Sequence, residues 1–212
     1  MSLKEWGILS PTFFIVMEFK LIDNLKFVNV DINYLKKLHE ISNEVYYKES
    51  DYQNKPYLGV LLSSDSFKYV IPLTSAKEKH KHWKVLDNDK LLVYAKTKMH
   101  KLHEKDVWIK SPFSDAEEDD ILHIFSAIDL KKMIPIIDSV IKVVNINYDG
   151  NDTVDEKHYK DLLQNEYNFC VGIIDEIISR ANKIYDRQVN KKNGLKYCCD
   201  FKALEEFVVT LN

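Results

Sequence analysis

The 212-residue chain is long enough for one domain with a substantial core, and 45% hydrophobic and 12% aromatic residues exclude a disordered protein. Its net charge of −3 gives no overall preference for nucleic acid. Three cysteines, Cys170, Cys198 and Cys199, lack metal-ligand spacing and favour reduced thiols over a disulfide framework. With no signal peptide or bilayer-spanning run recognised, we expect a cytoplasmic protein without a membrane partner.

The first half of the chain predicts a helix and a β-hairpin. Residues 26–30 alternate like a short strand, and 31–46 place apolar residues at helical spacing behind Asp31, a suitable N-cap. Two apolar runs, 57–63 and 67–73, are separated by a short polar turn and predict an antiparallel hairpin.

The chain from residue 74 onward predicts further strands and then helices. Residues 74–90 form a basic loop, and 96–119 an exposed insertion. Apolar residues follow a helical period from 157 to 189, which predicts one long helix with Gly194 as its stop signal and Cys170 in its buried face. Asp200 is placed to cap a last helix at 200–208. The remaining strands are expected at 91–95, 121–128 and 139–147.

Positive charge is concentrated in one window, residues 68–110. Eleven lysines and five acidic residues give this window a net charge of +6, which leaves −9 for the rest of the chain. Such a window is typical either of a solvated lysine-rich surface or of a nucleic-acid interface.

Familiar catalytic and cofactor motifs are missing from the sequence. It has no GxGxxG, P-loop, HExxH, CxxC or GxSxG pattern. The pairs His80/His82 and His100/His103 lie among lysines with few carboxylates, which disfavours a divalent metal site. We therefore expect no metal and no cofactor.

Thr74 and Ser75 are the most informative polar residues, because they end the second hairpin strand just before Lys77. In an antiparallel hairpin the start of one strand faces the end of the other, so pairing Leu62 with Phe67 or Lys68 would bring Lys55 and Tyr52 near these hydroxyls. Hydroxyls and ammonium groups can orient a phosphodiester and stabilise its developing charge, while RNA supplies its own 2′-OH nucleophile. Ordinary turn chemistry at a strand end remains an alternative explanation.

Four segments, "YQNKPYLGVLL", "KYVIPLTSAKEKHKHWK", "IDLKKMIPI" and "CDFKALEEF", resemble in order and context the ToxN/AbiQ family of type III toxin–antitoxin endoribonuclease toxins. The resemblance implies an α+β fold: a twisted antiparallel sheet core like that of MazF/Kid toxins, an early helix and a helical C-terminal region. It also implies metal-independent RNA cleavage that leaves 2′,3′-cyclic phosphate and 5′-OH ends. The implied partners are the RNA substrate and an RNA pseudoknot antitoxin, and no DNA partner is expected. The toxin and antitoxin are expected to form a higher-order assembly. The implied biological role is phage abortive infection.

The resemblance also assigns roles to individual residues. It implies a catalytic group, which is Ser75, Thr74, Lys55, Lys77 and, less securely aligned, Tyr52. His80 matches the end of the same block and is expected to bind phosphate. With the basic loop, the expected RNA-binding group is Lys79, His80, Lys81, Trp83 and Lys84, with Trp83 available to stack on a base.

The resemblance runs from about Leu25 to Phe207. We expect residues 25–212 to form a single domain, with 1–24 as an N-terminal extension outside the family match. Two other functions remain open from the sequence. A non-catalytic RNA-binding module would use the same basic loop but leave RNA intact. A protein-interaction domain would place the basic window against an acidic partner.

Overall fold

The protein is described by a computed structural model, which covers residues 18–21, 24–48, 57–63, 67–190 and 194–211. Nine strands in these residues pair antiparallel in one sheet, and four α-helices accompany it. The strands are β1 (Lys20–Leu21), β2 (Lys26–Val30), β3 (Tyr57–Ser63), β4 (Lys68–Ser75), β5 (Lys90–Lys98), β6 (Val107–Lys110), β7 (Asp120–Asp129), β8 (Ile134–Ile136) and β9 (Ile141–Val143). The helices are α1 (Ile32–Ile41), α2 (Val154–Gly172), α3 (Ile174–Asn190) and α4 (Phe201–Val209).

The sheet has the order β5-β7-β4-β3-β2-β9, with β1 beside β3, β6 beside β7 and β8 beside β4. This confirms the expected α+β class and antiparallel sheet. The strand predicted at 26–30 is β2, and the one predicted at 139–147 is reduced to the three residues of β9. The likeness to MazF/Kid toxins stays a prediction.

The predicted hairpin is formed by β3 and β4, but its register differs from the expected one. Leu62 pairs with Tyr69 rather than with Phe67 or Lys68. The register then shifts between Leu62 and Leu58, so that Tyr57 pairs with Pro72. The turn residues 64–66 lie outside the described chain. β4 also extends two residues beyond the prediction because its end pairs with β7.

α1 is shorter than the predicted helix over 31–46. Asp31 caps it as expected, with the side chain accepting a hydrogen bond from the Tyr34 N–H. The helix ends at Ile41 because Ser42 leaves the helical conformation, as short polar residues favour at helix ends. Residues 46–48 consequently run as irregular chain.

The predicted exposed insertion at 96–119 is wrong in part. β5 continues to Lys98, and β6 pairs with β7 within this range. Lys98 forms ion pairs at 2.5–2.8 Å with three carboxylates that follow β6, Glu117, Asp119 and Asp120. The many charged residues in this range concealed the pattern of β6, so this strand was not predicted. Its buried residue, Val107, belongs to a hydrophobic cluster of the sheet core.

The single long helix predicted over 157–189 is also wrong, since the structure has two helices, α2 and α3. The break falls at Ile173, whose backbone (φ −124°, ψ 20°) leaves the helical region. Gly172 before it has low helix propensity, and a β-branched residue follows. Cys170 is fully buried, as expected. α4 is capped by Asp200 as predicted, whereas the Gly194 stop signal follows residues 191–193, which lie outside the described chain.

An aromatic cluster joins the sheet to α3 and α4. The rings of Phe19 and Tyr69 lie 5.2 Å apart, and Tyr185 stacks on Phe201 at 5.6 Å. The hydroxyls of Tyr69 and Tyr185 both donate to Glu205 Oε1, at 2.7 and 2.8 Å. Phe19 is 1% exposed, so residues that the family resemblance left outside the domain contribute to its core.

Among the residues that the structure describes, no helix combines the length and apolar character that crossing a membrane requires.

Candidate functional site

A cleft of about 370 Å³ opens where β4 ends. One wall is formed by the end of β4 and the segment that follows it, and the other by the irregular chain after α1. The lining residues are Tyr46, Tyr47, Lys48, Tyr57, Pro72, Leu73, Thr74, Ser75, Lys77, Lys79, His80, Trp83, Lys90 and Asp129. Hydroxyl, ammonium and aromatic groups therefore meet around one space.

β7 holds the two adjacent hydroxyl residues in place. Thr74 pairs with Ala127, and Ser75 pairs with Ser126. Thr74 Oγ1 donates to the Ala127 carbonyl at 3.3 Å. Ser75 is partly exposed, and its side chain lines the cleft. Ser75 is thus fixed through its backbone at the edge of the cleft.

A 3₁₀ turn, Glu78–His82, carries the basic wall of the cleft. The His80 N–H donates to the Lys77 carbonyl at 2.8 Å, and the Lys77 N–H donates back to His80 Nδ1 at 3.2 Å. This reciprocal pair of hydrogen bonds fixes the backbone of Lys77. Lys77 is exposed, and its side chain lines the cleft.

His80 differs from the expected phosphate-binding residue. Its ring is fully buried, and Nε2 has no partner within the described chain. Burial and the nearby cations of Lys79, Lys77 and Lys90 lower the pKa of His80 to about 4. The imidazole is therefore neutral at neutral pH and supplies no cation to the cleft.

Trp83 lies between His80 and two lysines. Its ring centroid is 4.4 Å from that of His80, and the ammonium groups of Lys90 and Lys79 lie 4.5 and 5.7 Å from it. These cation–π contacts hold the ammonium groups beside the cleft. Lys90 was not predicted as a site residue, because the segment that resembles the family ends at Lys84; in the structure Lys90 begins β5.

The other predicted RNA-binding lysines occupy different positions. Lys79 is exposed and lines the cleft. Lys81 is partly buried and pairs with Glu78 at 2.9 Å, while Lys84 is exposed and does not line the cleft. The structure thus brings Thr74, Ser75, Lys77, Lys79, His80 and Trp83 together, and places Lys81 and Lys84 beside them. Tyr52 and Lys55 lie outside the described residues.

Sequence reasoning missed the opposite wall and the floor of the cleft. The Tyr46 hydroxyl donates to Asp129 Oδ2 at 3.3 Å, and the ammonium of Lys132 lies 5.6 Å from the Tyr46 ring. Burial raises the pKa of Asp129, whereas Lys90 and Lys132 oppose that rise. Asp129 is the acidic residue that begins the segment "DLKKMIPI". Nothing in the sequence indicated that it would lie opposite Tyr46.

Carboxylates close enough to share a cation occur once in the described residues, at Glu117, Asp119 and Asp120. Lys98 already pairs with all three, and none of them lines the cleft.

Residues 26–209 match the family model for the toxin ToxN of type III toxin–antitoxin systems. The chain belongs to the ToxN family. This confirms the resemblance seen in the sequence, and the match spans both walls of the cleft and all four helices.

Three relatives cover most of the chain. Endoribonuclease ToxN of Bacillus thuringiensis subsp. kurstaki is 25% identical over 195 residues, which is 87% of this chain and 82% of the relative. Endoribonuclease ToxN of Pectobacterium atrosepticum is 28% identical, over 86% and 91%. Endoribonuclease AbiQ of Lactococcus lactis subsp. lactis is 27% identical, over 85% and 86%.

Solved structures share the fold of this ToxN-family chain. One is AbiQ, a lactococcal anti-phage endoribonuclease of a type III system, with a TM-score of 0.66 and 20% identity over 89% of this chain and 98% of that one. Another comes from a study of selective toxin inhibition by a non-coding RNA pseudoknot, with a TM-score of 0.64, 20% identity and the same coverage.

Proposed function

We propose that this chain is an endoribonuclease toxin of a type III toxin–antitoxin system that cuts RNA in the cleft at the end of β4, without a metal. Membership of the ToxN family supports the class of activity, and three relatives carry the name endoribonuclease. The chemistry of the cleft supports the mode of cleavage.

One observation carries the proposal: a partly exposed hydroxyl and several ammonium groups line the same cleft. Ser75 offers the hydroxyl, and Lys77, Lys79 and Lys90 offer positive charge. Asp129 is buried beneath them and accepts hydrogen bonds from the Tyr46 hydroxyl and the Lys131 N–H. These groups suit phosphodiester cleavage. Hydrogen-bond donors and cations are already in place when the transition state develops extra negative charge on the phosphate oxygens.

The cleavage step follows from RNA's own structure. The 2′-oxygen attacks the adjacent phosphorus as its proton leaves, and a pentavalent phosphorane forms. The bond from phosphorus to the 5′-oxygen then breaks, and that oxygen takes up a proton. The products are a 2′,3′-cyclic phosphate and a 5′-OH. Ser75 and the cleft lysines stabilise the phosphorane, while Thr74, whose hydroxyl proton is directed to the Ala127 carbonyl, anchors the end of β4 beside it. Proton transfer falls to Ser75, Tyr52 or a lysine.

Partners follow from the same family. A solved structure with this fold comes from work on inhibition by an RNA pseudoknot, and another from work on a processed non-coding RNA that regulates an antiviral system. We propose that an RNA pseudoknot antitoxin occupies the cleft of this chain in a higher-order assembly, and that the toxin acts against phage infection. Exposed Lys84, outside the cleft, would contact backbone phosphates of either RNA.

The test is cleavage of single-stranded RNA by the purified protein in excess EDTA, with end-group analysis. We expect undiminished cleavage and cyclic phosphate ends. A magnesium-dependent nuclease run in parallel confirms that chelation is complete. Loss of cleavage on chelation, restored by magnesium, would overturn the metal-free mechanism. Intact RNA that is nevertheless bound would identify a non-catalytic RNA-binding module instead.

A further inference from the structure

Tyr46 differs from the other large aromatic residues that line the cleft. Within the described chain these are three tyrosines and one tryptophan, Tyr46, Tyr47, Tyr57 and Trp83. Tyr57 is buried, and Tyr47 and Trp83 are partly buried, whereas Tyr46 is 39% exposed. Tyr46 is therefore the aromatic ring of the cleft that a ligand can reach most readily.

The ring of Trp83 is already engaged by other groups of the protein. The imidazole of His80 lies 4.4 Å from its centroid, and the ammonium of Lys90 lies 4.5 Å from it. These contacts cover part of the surface on which a nucleobase would stack. The geometry therefore favours Tyr46 over Trp83 for that role.

Neighbouring residues hold the side chain of Tyr46 in place. Its hydroxyl donates to Asp129 Oδ2 at 3.3 Å, and Asp129 also accepts a hydrogen bond from the Lys131 N–H at 3.2 Å. The ammonium of Lys132 lies 5.6 Å from the centroid of the Tyr46 ring and forms an ion pair with Glu44. A ring that is fixed at its hydroxyl and beside a cation loses little conformational freedom when a ligand binds.

The cleft has room for a base next to the groups proposed to act on the phosphate. Its volume of about 370 Å³ falls within the roughly 300–1,000 Å³ that is usual for small-molecule sites. Tyr46 lines one wall of the cleft, and Ser75 and Lys77 line the other. A strand whose phosphate lies at the hydroxyl and ammonium groups can therefore place a base against the Tyr46 ring.

We propose that Tyr46 is a stacking platform for an unpaired nucleobase of the RNA strand that occupies the cleft. The inference rests on the proposed function, because this strand is the one whose scissile phosphate lies at Ser75. Single-stranded RNA exposes its bases, and every base offers a π-face to an aromatic side chain. Tyr46 thus adds affinity for bases with little preference among them, while the cleft lysines bind phosphates.

Three substitutions of Tyr46 and one matched control separate stacking from structure. Tyr46→Ala removes the ring, and Tyr46→Phe keeps the ring but loses the hydrogen bond to Asp129. Tyr46→Leu retains apolar bulk and takes the place of Tyr46→Ala if the alanine variant does not fold. The control is Tyr148→Ala, because Tyr148 is also exposed and also donates its hydroxyl to a carboxylate, that of Asp161, but does not line the cleft.

Two labelled probes show whether the effect depends on bases, and fluorescence anisotropy at constant salt measures their binding. One probe is a single-stranded RNA with methylated 2′-oxygens, which cannot be cut. The other has the same number of phosphates, but its sugars carry neither bases nor 2′-hydroxyls. We expect Tyr46→Ala to bind the base-containing strand about 5- to 150-fold more weakly than wild type, and the abasic strand as well as wild type does. Tyr46→Phe should lose less affinity than Tyr46→Ala because its ring remains, and Tyr148→Ala should bind both probes like wild type.

Several results would overturn the platform. Equal binding of the base-containing strand by wild type and Tyr46→Ala would refute it, while RNA cleavage by wild type would leave the proposed function intact. An equal loss of affinity for both probes would show that Tyr46 supports phosphate contacts and not a base. Binding by Tyr46→Phe as weak as that by Tyr46→Ala would assign the effect to the hydroxyl instead of the ring. If wild type neither binds nor cuts RNA, the proposed function fails, and the platform fails with it.

Discussion

Replacing Ser75 with alanine should abolish most RNA cleavage with little effect on folding. The substitution removes one oxygen from a partly exposed residue that lines the cleft. Its backbone pairing with Ser126 does not depend on the side chain. The free energy of unfolding should therefore change by less than about 1 kcal/mol.

The expected loss of rate is much larger. Removing one well-aimed donor to a developing oxyanion lowers kcat about 10²- to 10³-fold, or about 2.7–4 kcal/mol of transition-state stabilisation. The loss should appear in kcat and not in RNA affinity, because the cleft lysines remain. Single-turnover cleavage of a labelled RNA gives the rate, and anisotropy with an uncut analogue gives the affinity.

Ser126 provides a matched control on the neighbouring strand. Its hydroxyl is fully buried without a partner in the described chain, and it does not line the cleft. Ser126→Ala removes the same atom from the paired position and should cut RNA at the wild-type rate, with stability unchanged or slightly improved. Cleavage by Ser75→Ala within about threefold of wild type would refute the assigned role. A similar loss in both variants would indicate a disturbed β4–β7 edge instead.

Three further predictions address the basic wall, the core and the buried histidine. Neutralising Lys79, Lys81 and Lys84 to glutamine should reduce the slope of log affinity against log salt by at most about 2, since single-strand contacts contribute about 0.7 each; an unchanged slope would mean that these lysines only face solvent. Phe19→Ala should destabilise the fold by about 3–5 kcal/mol in urea unfolding, because the ring is buried among aromatic residues; a loss below about 1 kcal/mol would show that it is dispensable. His80 takes up a proton near its ordinary pKa of 6.5 in the unfolded chain but only near 4 in the folded protein, so the free energy of unfolding should fall as pH drops from 6.5 to 4. His80→Asn should flatten this pH dependence, and a pH profile identical to that of wild type would contradict the assignment.

Local patterns were sufficient for the elements that short-range rules control. Asp31 and Asp200 cap their helices as their side chains predict, and the alternating run at 26–30 forms a strand. The hydroxyl pair Thr74–Ser75 could be located at a strand end because it follows an apolar run directly. These features depend on neighbours within a few residues.

Features that depend on distant partners were not predictable. The helical period continues through Ile173, so the apolar pattern could not reveal the break between α2 and α3. Similarly, His80 is surrounded by lysines in sequence, which suggests exposure, yet its ring packs against Trp83 and is buried. The hydrogen bond between Tyr46 and Asp129 joins residues 83 positions apart in the chain.

The separation between those two residues has a consequence for the synthesis of the protein. Tyr46 and Asp129 lie 83 positions apart, and the hydroxyl-bearing end of β4 is held by β7. A nascent chain that has left the ribosome only as far as β5 contains Thr74 and Ser75 but lacks both Asp129 and the strand β7 that holds the end of β4. Pairing over such sequence distances is also slow relative to local folding. The cleft is therefore completed only after the later strands have emerged from the ribosome.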